Sequence, residues 1–334
     1  MKIINDIRFI SIDQWKELIE SSDTKSIFQT KEWYEFCLTQ RFLKPFVFSI
    51  ENDKGFLKGI IVGYIQKDGG KLKQFFSRRA IINGGPLLAN DIKEEELDLL
   101  LKFTIQELKK KAIYIETRNL SDYSQYKEVF SMNNFQYEAH LDFLVDTRSE
   151  ETVQANIHKS KKRKIKSTIK EDIFINQTPS VEEVKSYYKL LNNLYAKKVK
   201  TPLFPMSFFL DLYNQPFARF LLIMKNEEIL GGQVILCLER KVTYLFYLCG
   251  EDGKIKGVFP SVLGTYAGIK YAVDNGCAIC DMMGAGKPNE EYGVRDFKAE
   301  FGGKLVEYGR FLNITNPFLY RIGALGVKIM KLRK

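Results

Sequence analysis

The feature that most constrains this fold is the recurrence of the same segments in both halves of the chain. Tyr126–Phe130 is followed by a short break and a strand pattern, and Phe297–Phe301 is followed by Gly302-Gly303 and a strand pattern. Likewise, Phe56–Gly59 and Ile229–Gly232 each lead into an apolar strand. Both pairs lie close to half of the 334-residue chain apart. Because the two matches share nearly one spacing, they favour tandem copies of one unit over a single large domain.

Hydrophobic periodicity gives the order of elements in each copy. The first half is predicted to contain helices over 12–20, 31–38, 93–111 and 122–133, strands over 45–50, 56–66, 112–117 and 135–146, and an extended segment over 77–88. The second half is predicted to contain helices over 149–170, 181–198, 206–214, 260–275 and 294–301 and strands over 219–225, 229–238, 242–248, 278–283 and 305–314. We therefore expect an α/β (α+β) fold in which each domain has a mixed, mostly antiparallel sheet flanked by helices.

The positive charge of the chain is concentrated in two short segments. The formal net charge is +10, from 51 Lys and Arg against 41 Asp and Glu. Lys159–Lys170 holds seven basic residues and Arg321–Lys334 holds five, and neither segment contains an acidic residue. Concentrated charge favours an anionic partner such as RNA, a phosphorylated substrate or an anionic membrane surface. The alternative is a solvated helix face and a basic tail.

Cysteine and histidine usage disfavours metal and disulfide chemistry. The chain has five Cys and two His, and the odd number of Cys fits a reducing cytoplasm better than a disulfide framework. Cys277 and Cys280 form a CxxC motif, but on a strand these positions point to opposite faces. We expect no bound metal, no signal peptide and no membrane span, and hence a cytoplasmic location.

The predicted order of elements resembles the GNAT acyltransferase topology. In that fold, the loop after the central strand normally binds the pyrophosphate of coenzyme A through exposed backbone N–H groups next to small residues. Here that loop is Cys249–Pro260, with Phe259 in place of the final small residue and with Glu251 and Asp252 nearby. These residues disfavour a standard acetyl-CoA enzyme.

The C-terminal third carries a more specific resemblance. Ala278–Gly284 is a strand ending in Asp and Gly, and Tyr292–Tyr308 contains the pattern Gly-x-x-x-Phe-Lys-x-x-Phe-Gly-Gly followed by a strand. This combination resembles the FemAB family, the non-ribosomal peptidyltransferases that build peptidoglycan bridges. The segment Phe28–Trp33 and the basic helix over 149–170 support the resemblance more loosely.

The resemblance implies a fold, a reaction and a set of substrates. It implies two GNAT-like domains, which we place at 1–148 and 149–311, with 312–334 packing back on the first domain. The chain resembles the short form, without the inserted helical hairpin of long members. The implied reaction moves an amino acid from aminoacyl-tRNA to an amine of a peptidoglycan precursor, nucleotide-linked or lipid-linked, with no cofactor besides that donor.

Ester aminolysis needs a positioned donor, a neutral amine and stabilisation of an oxyanion. By the resemblance, Lys298 is the candidate catalytic residue and Phe297 a wall of the site. Tyr247 aligns with a ring near the nucleotide of the precursor, and Lys198 aligns with a phosphate-binding Arg. Asp281 is a further candidate because it stands at a strand end. Each residue also has a structural alternative, as a surface lysine, a core aromatic or an ordinary strand end.

Two further sets of residues are candidates for binding. Trp33 is a candidate substrate-binding residue, and the basic helix offers Lys161, Lys162, Arg163 and Lys164 to the phosphates of tRNA. The residues Phe318, Ile322, Leu325 and Ile329 form one helical stripe beside basic residues. That stripe fits either an interfacial helix on the inner face of an anionic membrane or a helix docked on the first domain.

Two other functions stay open from the sequence. One is a GNAT-type N-acyltransferase that uses acyl-CoA or an acyl-carrier protein on a cell-surface sugar. The other is an inactive RNA-binding or membrane-binding module.

Overall fold

A computed structural model describes residues 1–67, 71–170, 172–199 and 202–332, with the side chains of 71–73, 324 and 326–332 left undescribed. The chain divides into two compact units. The first unit is Met1–His140 together with Glu307–Lys334, and the second unit is Leu141–Val306. Residues 333 and 334, the end of the predicted basic tail, lie outside the described residues.

The first unit is built on one mixed sheet flanked by helices. Its strands are β1 (Lys2–Ile4), β2 (Leu43–Glu51), β3 (Leu57–Gln66), β4 (Arg79–Gly84), β5 (Leu87–Leu88), β6 (Tyr114–Asn119), β7 (Gln136–Glu138) and, from the end of the chain, β15 (Arg310–Ile314). Its helices are α1 (Ile12–Ser21), α2 (Lys31–Thr39), α3 (Lys71–Ser77), α4 (Glu94–Leu108), α5 (Lys127–Met132) and, again from the end of the chain, α12 (Pro317–Leu332). The sheet order is β1-β2-β3-β4-β6-β15-β7, with β5 paired to β3.

The second unit repeats this plan. Its strands are β8 (Leu141–Asp146), β9 (Ile173–Asn176), β10 (Ala218–Lys225), β11 (Glu228–Leu238), β12 (Val242–Gly250), β13 (Ile279–Asp281) and β14 (Lys304–Glu307). Its helices are α6 (Glu150–Asn156), α7 (Lys159–Ile169), α8 (Val181–Leu194), α9 (Met206–Tyr213), α10 (Pro260–Asp274) and α11 (Gly293–Ala299), with a π-helical turn over Tyr195–Val199. The sheet order is β9-β10-β11-β12-β13-β8-β14.

The two sheets correspond strand for strand. The fourth and fifth strands are parallel in both sheets, as β4 with β6 and as β12 with β13, whereas the other pairs with a determined register are antiparallel. The short helices α5 and α11 both precede the seventh strand of their sheet. The predicted fold class, two tandem mixed α/β domains with the same element order, is confirmed.

The structure corrects two predicted strands. The segments 135–146 and 305–314 were each expected to be one strand, but each is divided between the two sheets, as β7 with β8 and as β14 with β15. The strand β8, which the predicted division at residue 148 assigned to the first domain, lies in the second sheet beside β13. In the second segment the break falls at Gly309, whose φ is +65°, and a Cβ there would meet the ring of Tyr137 at 2.2 Å.

Each unit has its own apolar core. In the first unit, α4 and α5 cover the sheet, and the rings of Phe130 and Phe311 stack at 4.0 Å between centroids. In the second unit, α10 crosses β11 and β12, where Gly268 allows close approach because a Cβ there would lie 2.4 Å from Leu245. Within the described part of the chain, no helix is both long and apolar enough to cross a membrane.

Candidate active site

Two buried carboxyl groups lie where β13 and β8 run side by side in the second unit. Asp281, only 1% exposed, ends β13, and its Oδ1 accepts a hydrogen bond from the backbone N–H of Met283 at 2.7 Å. Met283 adopts a left-handed backbone conformation with φ +57°, which costs energy for a residue with a side chain. Asp142 is buried on β8, and its Oδ1 accepts from the N–H of Phe143 at 2.6 Å. The bond from Met283 to Asp281 holds the start of the loop after β13 in a defined shape.

The ammonium group of Lys298 reaches this loop from α11. Its Nζ donates to the carbonyl oxygens of Met282 at 2.6 Å and Gly284 at 2.9 Å, and also to that of Met283. An ammonium group has three N–H donors, so all three have a backbone partner. A reacting oxygen can therefore reach Lys298 only by displacing one of these carbonyl groups.

The three ionisable groups influence each other's protonation. Burial lowers the pKa of Lys298, and the carboxyl groups of Asp142 and Asp281 act in the opposite direction. Burial, followed by the charge of Asp142, raises the pKa of Asp281 well above its usual range. Burial also raises the pKa of Asp142 to about 6, although Lys298 opposes this. The raised pKa values of both carboxyl groups reduce the negative charge that the cluster carries, in the direction that a partly buried site favours.

Phe297 lies on α11 next to Lys298, and a cation packs against the face of its ring. The Nζ of Lys161 lies 4.1 Å from the centroid of the Phe297 ring and 3.5 Å from Oε1 of Glu300. Lys161 is only 3% exposed. The structure therefore contradicts the expectation that Lys161 offers its charge to nucleic acid, because the helical spacing of Lys161, Ile165 and Thr168 turns this face of α7 inward.

The other predicted nucleic-acid contacts remain nearer the surface. Arg163 is exposed, whereas Lys162 and Lys164 are half-buried. The Nζ of Lys164 lies 5.1 Å from the Phe259 ring. The basic segment is thus an amphipathic helix with a smaller outward charge than its sequence predicts.

Tyr247 lies half-buried in an aromatic group of the second unit. Its ring centroid is 5.0 Å from Phe209 and 6.1 Å from Tyr195, and a β-bulge interrupts the pairing of β11 and β12 beside it. Lys198 is exposed on the π-helical turn that also contains Tyr195. The structure therefore brings these two predicted residues to one region of the unit.

Trp33 belongs to the other unit and to its core. The side chain is buried on α2, with ring centroids 4.8 Å from Phe28 and 5.4 Å from Phe36. These are contacts of a core residue, and they do not favour a direct role in substrate binding.

In the loop that corresponds to the pyrophosphate-binding loop of GNAT enzymes, backbone N–H groups already donate hydrogen bonds to other groups of this chain. At the start of α10, Asp252 Oδ1 accepts from the N–H of Ser261 at 2.8 Å, and its Oδ2 accepts from the Ser261 hydroxyl. Thr168 Oγ1 accepts from the N–H of Phe259 at 3.0 Å, and the N–H of Val258 donates to Ile255 O at 3.1 Å. A carboxylate therefore occupies the helix N-terminus at which a phosphate would otherwise be stabilised.

The corresponding helix of the first unit is no better suited to a phosphate. The first turn of α4 contains Glu94, Glu95 and Glu96, and Oε2 of Glu96 accepts from the N–H of Lys93 at 2.9 Å. Among the described residues, no three His, Cys, Asp or Glu side chains lie together in a way that could hold a metal ion.

Comparison with solved structures shows which proteins share this fold. The chain is similar in fold to a crystal structure of FemX, with a TM-score of 0.71 and 14% identity over 96% of this chain and 99% of that one. It is also similar to a tandem GNAT protein from the clavulanic acid biosynthesis pathway (TM-score 0.59, 9% identity, 95% and 99% covered). L-PGS from Bacillus licheniformis has a TM-score of 0.56 at 11% identity, with 94% and 96% covered.

Comparison at the level of sequence is narrower and more specific. Residues 216–326 match the model of the FemAB family, which confirms the resemblance over the segment that carries Phe297 and Lys298. A search of curated proteins found no significant match. The family match over residues 216–326 and the tandem GNAT-like fold together relate this chain to acyltransferases of the FemAB and GNAT-like kind.

Proposed function

We propose that this protein is a FemAB-like aminoacyltransferase that moves an amino acid from aminoacyl-tRNA to an amine of a peptidoglycan precursor. The observation that supports it best is the position of Lys298. This residue lies within the FemAB match, and its ammonium group is held against the loop after β13 by three carbonyl groups.

In the proposed reaction, the amine nitrogen of the acceptor attacks the ester carbonyl of the aminoacyl-tRNA. A C–N bond forms, the C–O bond to the ribose breaks, and the ribose oxygen takes up the proton lost by the amine. An ammonium group next to the carbonyl stabilises the negative charge that develops on oxygen. Lys298 would supply that group, and the Phe297 ring would form a wall beside it.

The loop between β12 and α10 bears on the identity of the donor. Asp252 already occupies the N-terminus of α10 and would repel a pyrophosphate there. Acyl-CoA is therefore disfavoured in the second unit. On α7, Arg163 is exposed and Lys162 half-buried, and these are the side chains we propose for contact with tRNA phosphates. Lys198 and Tyr247 are proposed to contact the precursor.

A membrane contact would suit an acceptor that is linked to lipid. On α12, Phe318 is 71% exposed and Ile322 and Leu325 are exposed on the same face, next to Arg321. The Tyr320 ring meets Tyr114 edge-to-face at 5.5 Å, so another face of this helix docks on the first unit. We propose that the exposed stripe rests on anionic lipid. Phe318→Glu should then reduce sedimentation with phosphatidylglycerol vesicles, and an unchanged bound fraction would contradict the contact.

The reaction is tested by offering the donors separately. The purified chain is incubated with a soluble nucleotide-linked precursor and, in parallel, with tRNA charged with labelled amino acids or with labelled acyl-CoA. We expect label in the precursor from charged tRNA only, and expect ribonuclease to abolish it. Transfer from acyl-CoA alone would overturn the proposal in favour of an N-acyltransferase. Salt-sensitive binding of tRNA without turnover of any donor would instead indicate an inactive binding module.

A further inference from the structure

Lys161 is a buried cation at the contact between α7 and α11 of the second unit. Its Nζ lies 4.1 Å from the centroid of the Phe297 ring, 5.5 Å from that of Phe301 and 3.5 Å from Oε1 of Glu300. Burial lowers the pKa of Lys161, and the charge of Glu300 acts in the opposite direction. Replacing a buried ion pair by apolar side chains of similar volume is often neutral or stabilising. Stability alone therefore does not account for a charged group at this position.

The carboxylate of Glu300 joins the end of α11 to the start of α7. Glu300 follows α11 directly, and its side chain accepts a hydrogen bond from the hydroxyl of Ser160 in the first turn of α7. Its backbone oxygen accepts from the N–H of His158 at 2.9 Å. A carboxylate at the N-terminus of a helix is favoured by the helix dipole. Glu300 therefore binds both Lys161 and the helix that carries it.

The segment after α11 packs directly against the backbone that leads into α7. Gly302 has a φ of +80°, and a Cβ there would meet the backbone oxygen of Asn156, at the end of α6, at 2.5 Å. The residue before it, Phe301, is fully buried. The end of α11 is thus held against α6 and α7 by contacts that leave no room for a side chain.

The helix that carries Lys298 depends on these contacts for its position. The helix α11 has only seven residues, Gly293–Ala299, and none of them is fully buried. A helix this short is not stable without tertiary contacts. Because Phe297 and Lys298 are neighbours on α11, a shift that separates Phe297 from Lys161 also displaces Lys298 from the carbonyl groups of the loop after β13.

We propose that Lys161 is a positioning residue for the transfer reaction. Its ammonium group, held between the Phe297 ring and Glu300, fixes α11 in the place from which Lys298 reaches the loop after β13. Residues two apart on a helix point to nearly opposite sides, so Arg163 lies on the outward face of α7 and Lys161 on the inward face. That Lys298 serves the reaction rests on the proposed function, whereas the dependence of its position on Lys161 does not.

The position of Lys298 can be measured without turnover. Lysine side-chain ¹⁵N–H₃ signals are observed by NMR where the ammonium group is protected from exchange with water, and Lys298→Met assigns the signal of Lys298. We expect a slowly exchanging signal in the wild type and in Lys161→Arg, which keeps the cation, and exchange about tenfold faster or more in Lys161→Met. An unchanged exchange rate in Lys161→Met, or no protected Lys298 signal in the wild type, would overturn the proposal.

Transfer kinetics separate positioning from donor binding and from folding. Lys161→Met should slow single-turnover transfer from charged tRNA about tenfold or more, while the affinity for tRNA stays at the wild-type value. Lys161→Arg should recover most of the rate. The matched control is Lys127→Met, which removes an ammonium group 3.9 Å from the centroid of the Tyr137 ring in the first unit and should transfer at the wild-type rate. If Lys161→Met lowered the melting temperature but not the transfer rate, Lys161 would be merely structural and the proposal would be wrong.

A change in Glu300 tests the same pair from its more exposed side, since the Glu300 side chain is 38% exposed. Glu300→Gln should speed exchange of the Lys298 signal and slow transfer, and it replaces Lys161→Met in both measurements if that variant does not fold. The double variant should be no slower than Lys161→Met alone, because both changes remove one interaction. Losses that multiply would show that the two residues act independently and would contradict the proposal. A wild type that transfers nothing from charged tRNA would overturn the proposed function, and the exchange of the Lys298 signal would still decide whether Lys161 positions it.

Discussion

The two units share one strand order but keep their ionisable groups in different places. In the second unit, Asp142, Asp281 and Lys298 form a partly buried cluster of opposite charges beside the loop after β13. In the first unit, Arg118 and Arg310 both donate to Glu116 on one face of the sheet, and Glu138 lies opposite Arg310 in register. Two duplicated sheets can therefore keep the same strand order while the side chains around them are adapted to different chemistry.

The short helices α5 and α11 occupy equivalent positions in the two units, since each precedes the seventh strand of its sheet. Lys127 on α5 is exposed, with its Nζ 3.9 Å from the centroid of the Tyr137 ring. Lys298 on α11 is instead enclosed by carbonyl groups and near two carboxyl groups. Equivalent lysines thus have unequal surroundings, and only one of them lies in a setting suited to chemistry.

The largest effect on stability is expected from the buried carboxyl pair. The pKa of Asp142 is raised from 3.8 to about 6 in the folded protein, so the folded state binds more protons than the unfolded state between these values. This contribution favours the folded state at low pH and is lost as the pH rises through about 6. Relative to Asp142→Asn, the wild type should therefore lose about 2 kcal/mol of unfolding free energy between pH 4 and pH 7. Urea unfolding at both pH values measures it.

The neighbouring residue Asp146 on β8 provides a control of opposite sign. The side-chain hydrogen bond from Arg148 lowers the pKa of Asp146 to about 2. Its contribution to stability is present above pH 4 and is lost as the pH falls from about 4 towards 2. Asp146→Asn should therefore change the pH dependence only below pH 4. If Asp142→Asn and wild type lost stability in parallel from pH 4 to pH 7, the cluster around Lys298 would not be coupled as described.

An intermediate effect is expected at the two helix N-termini that the chain closes with its own carboxylates. Asp252→Ala removes the cap of α10, and Glu96→Ala removes the side chain that accepts from the N–H of Lys93 before α4. Each substitution should lower the unfolding free energy by about 1 kcal/mol. Thermal melts measure this loss. Only Asp252→Ala should also gain weak, saturable binding of pyrophosphate, since Glu94 and Glu95 still repel an anion at α4. Equal pyrophosphate binding by both variants would remove this distinction between the units.

The smallest effect is expected on α7, which precedes β9 in the second unit and has no counterpart among the described helices of the first. Arg163→Gln should lower tRNA affinity severalfold and reduce its dependence on salt by about one phosphate contact. Lys161→Met, which alters a buried position over the Phe297 ring, should leave the salt dependence unchanged. Filter-binding isotherms at several salt concentrations give both values. A larger loss with Lys161→Met than with Arg163→Gln would reverse the assignment of the outward face.

Much of the fold follows from sequence because local periodicity marks most elements and the repeat orders them. Sequence did not reveal that 135–146 and 305–314 each supply two sheets, because the alternation of side chains continues across the break. The choice of partner strand depends on contacts distant in sequence, such as that of β8 with β13. A glycine at position 309 was the one local signal of a break in the second segment.

Residues of the candidate site could be predicted from the sequence where they belong to a motif. Residues that only three-dimensional packing brings to the site could not. Phe297, Lys298 and Asp281 could be found because they stand in a recognisable pattern. Asp142 was missed because alternation along its strand places it opposite the apolar residues Phe143 and Val145, where solvent is the usual expectation. The inward turn of Lys161 did have a signal, namely its helical spacing from Ile165, which the count of basic residues obscured.

The most direct test of unequal chemistry in the two units compares Lys298→Met with Lys127→Met. Single-turnover transfer from charged tRNA to the precursor is measured for both variants and for wild type, after far-UV and near-UV circular dichroism have shown that each is folded. We predict that Lys298→Met slows transfer by roughly 10²- to 10³-fold and that Lys127→Met transfers at the wild-type rate. Near-normal transfer by Lys298→Met, or an equal loss in both variants, would contradict the assignment of the reaction to the second unit.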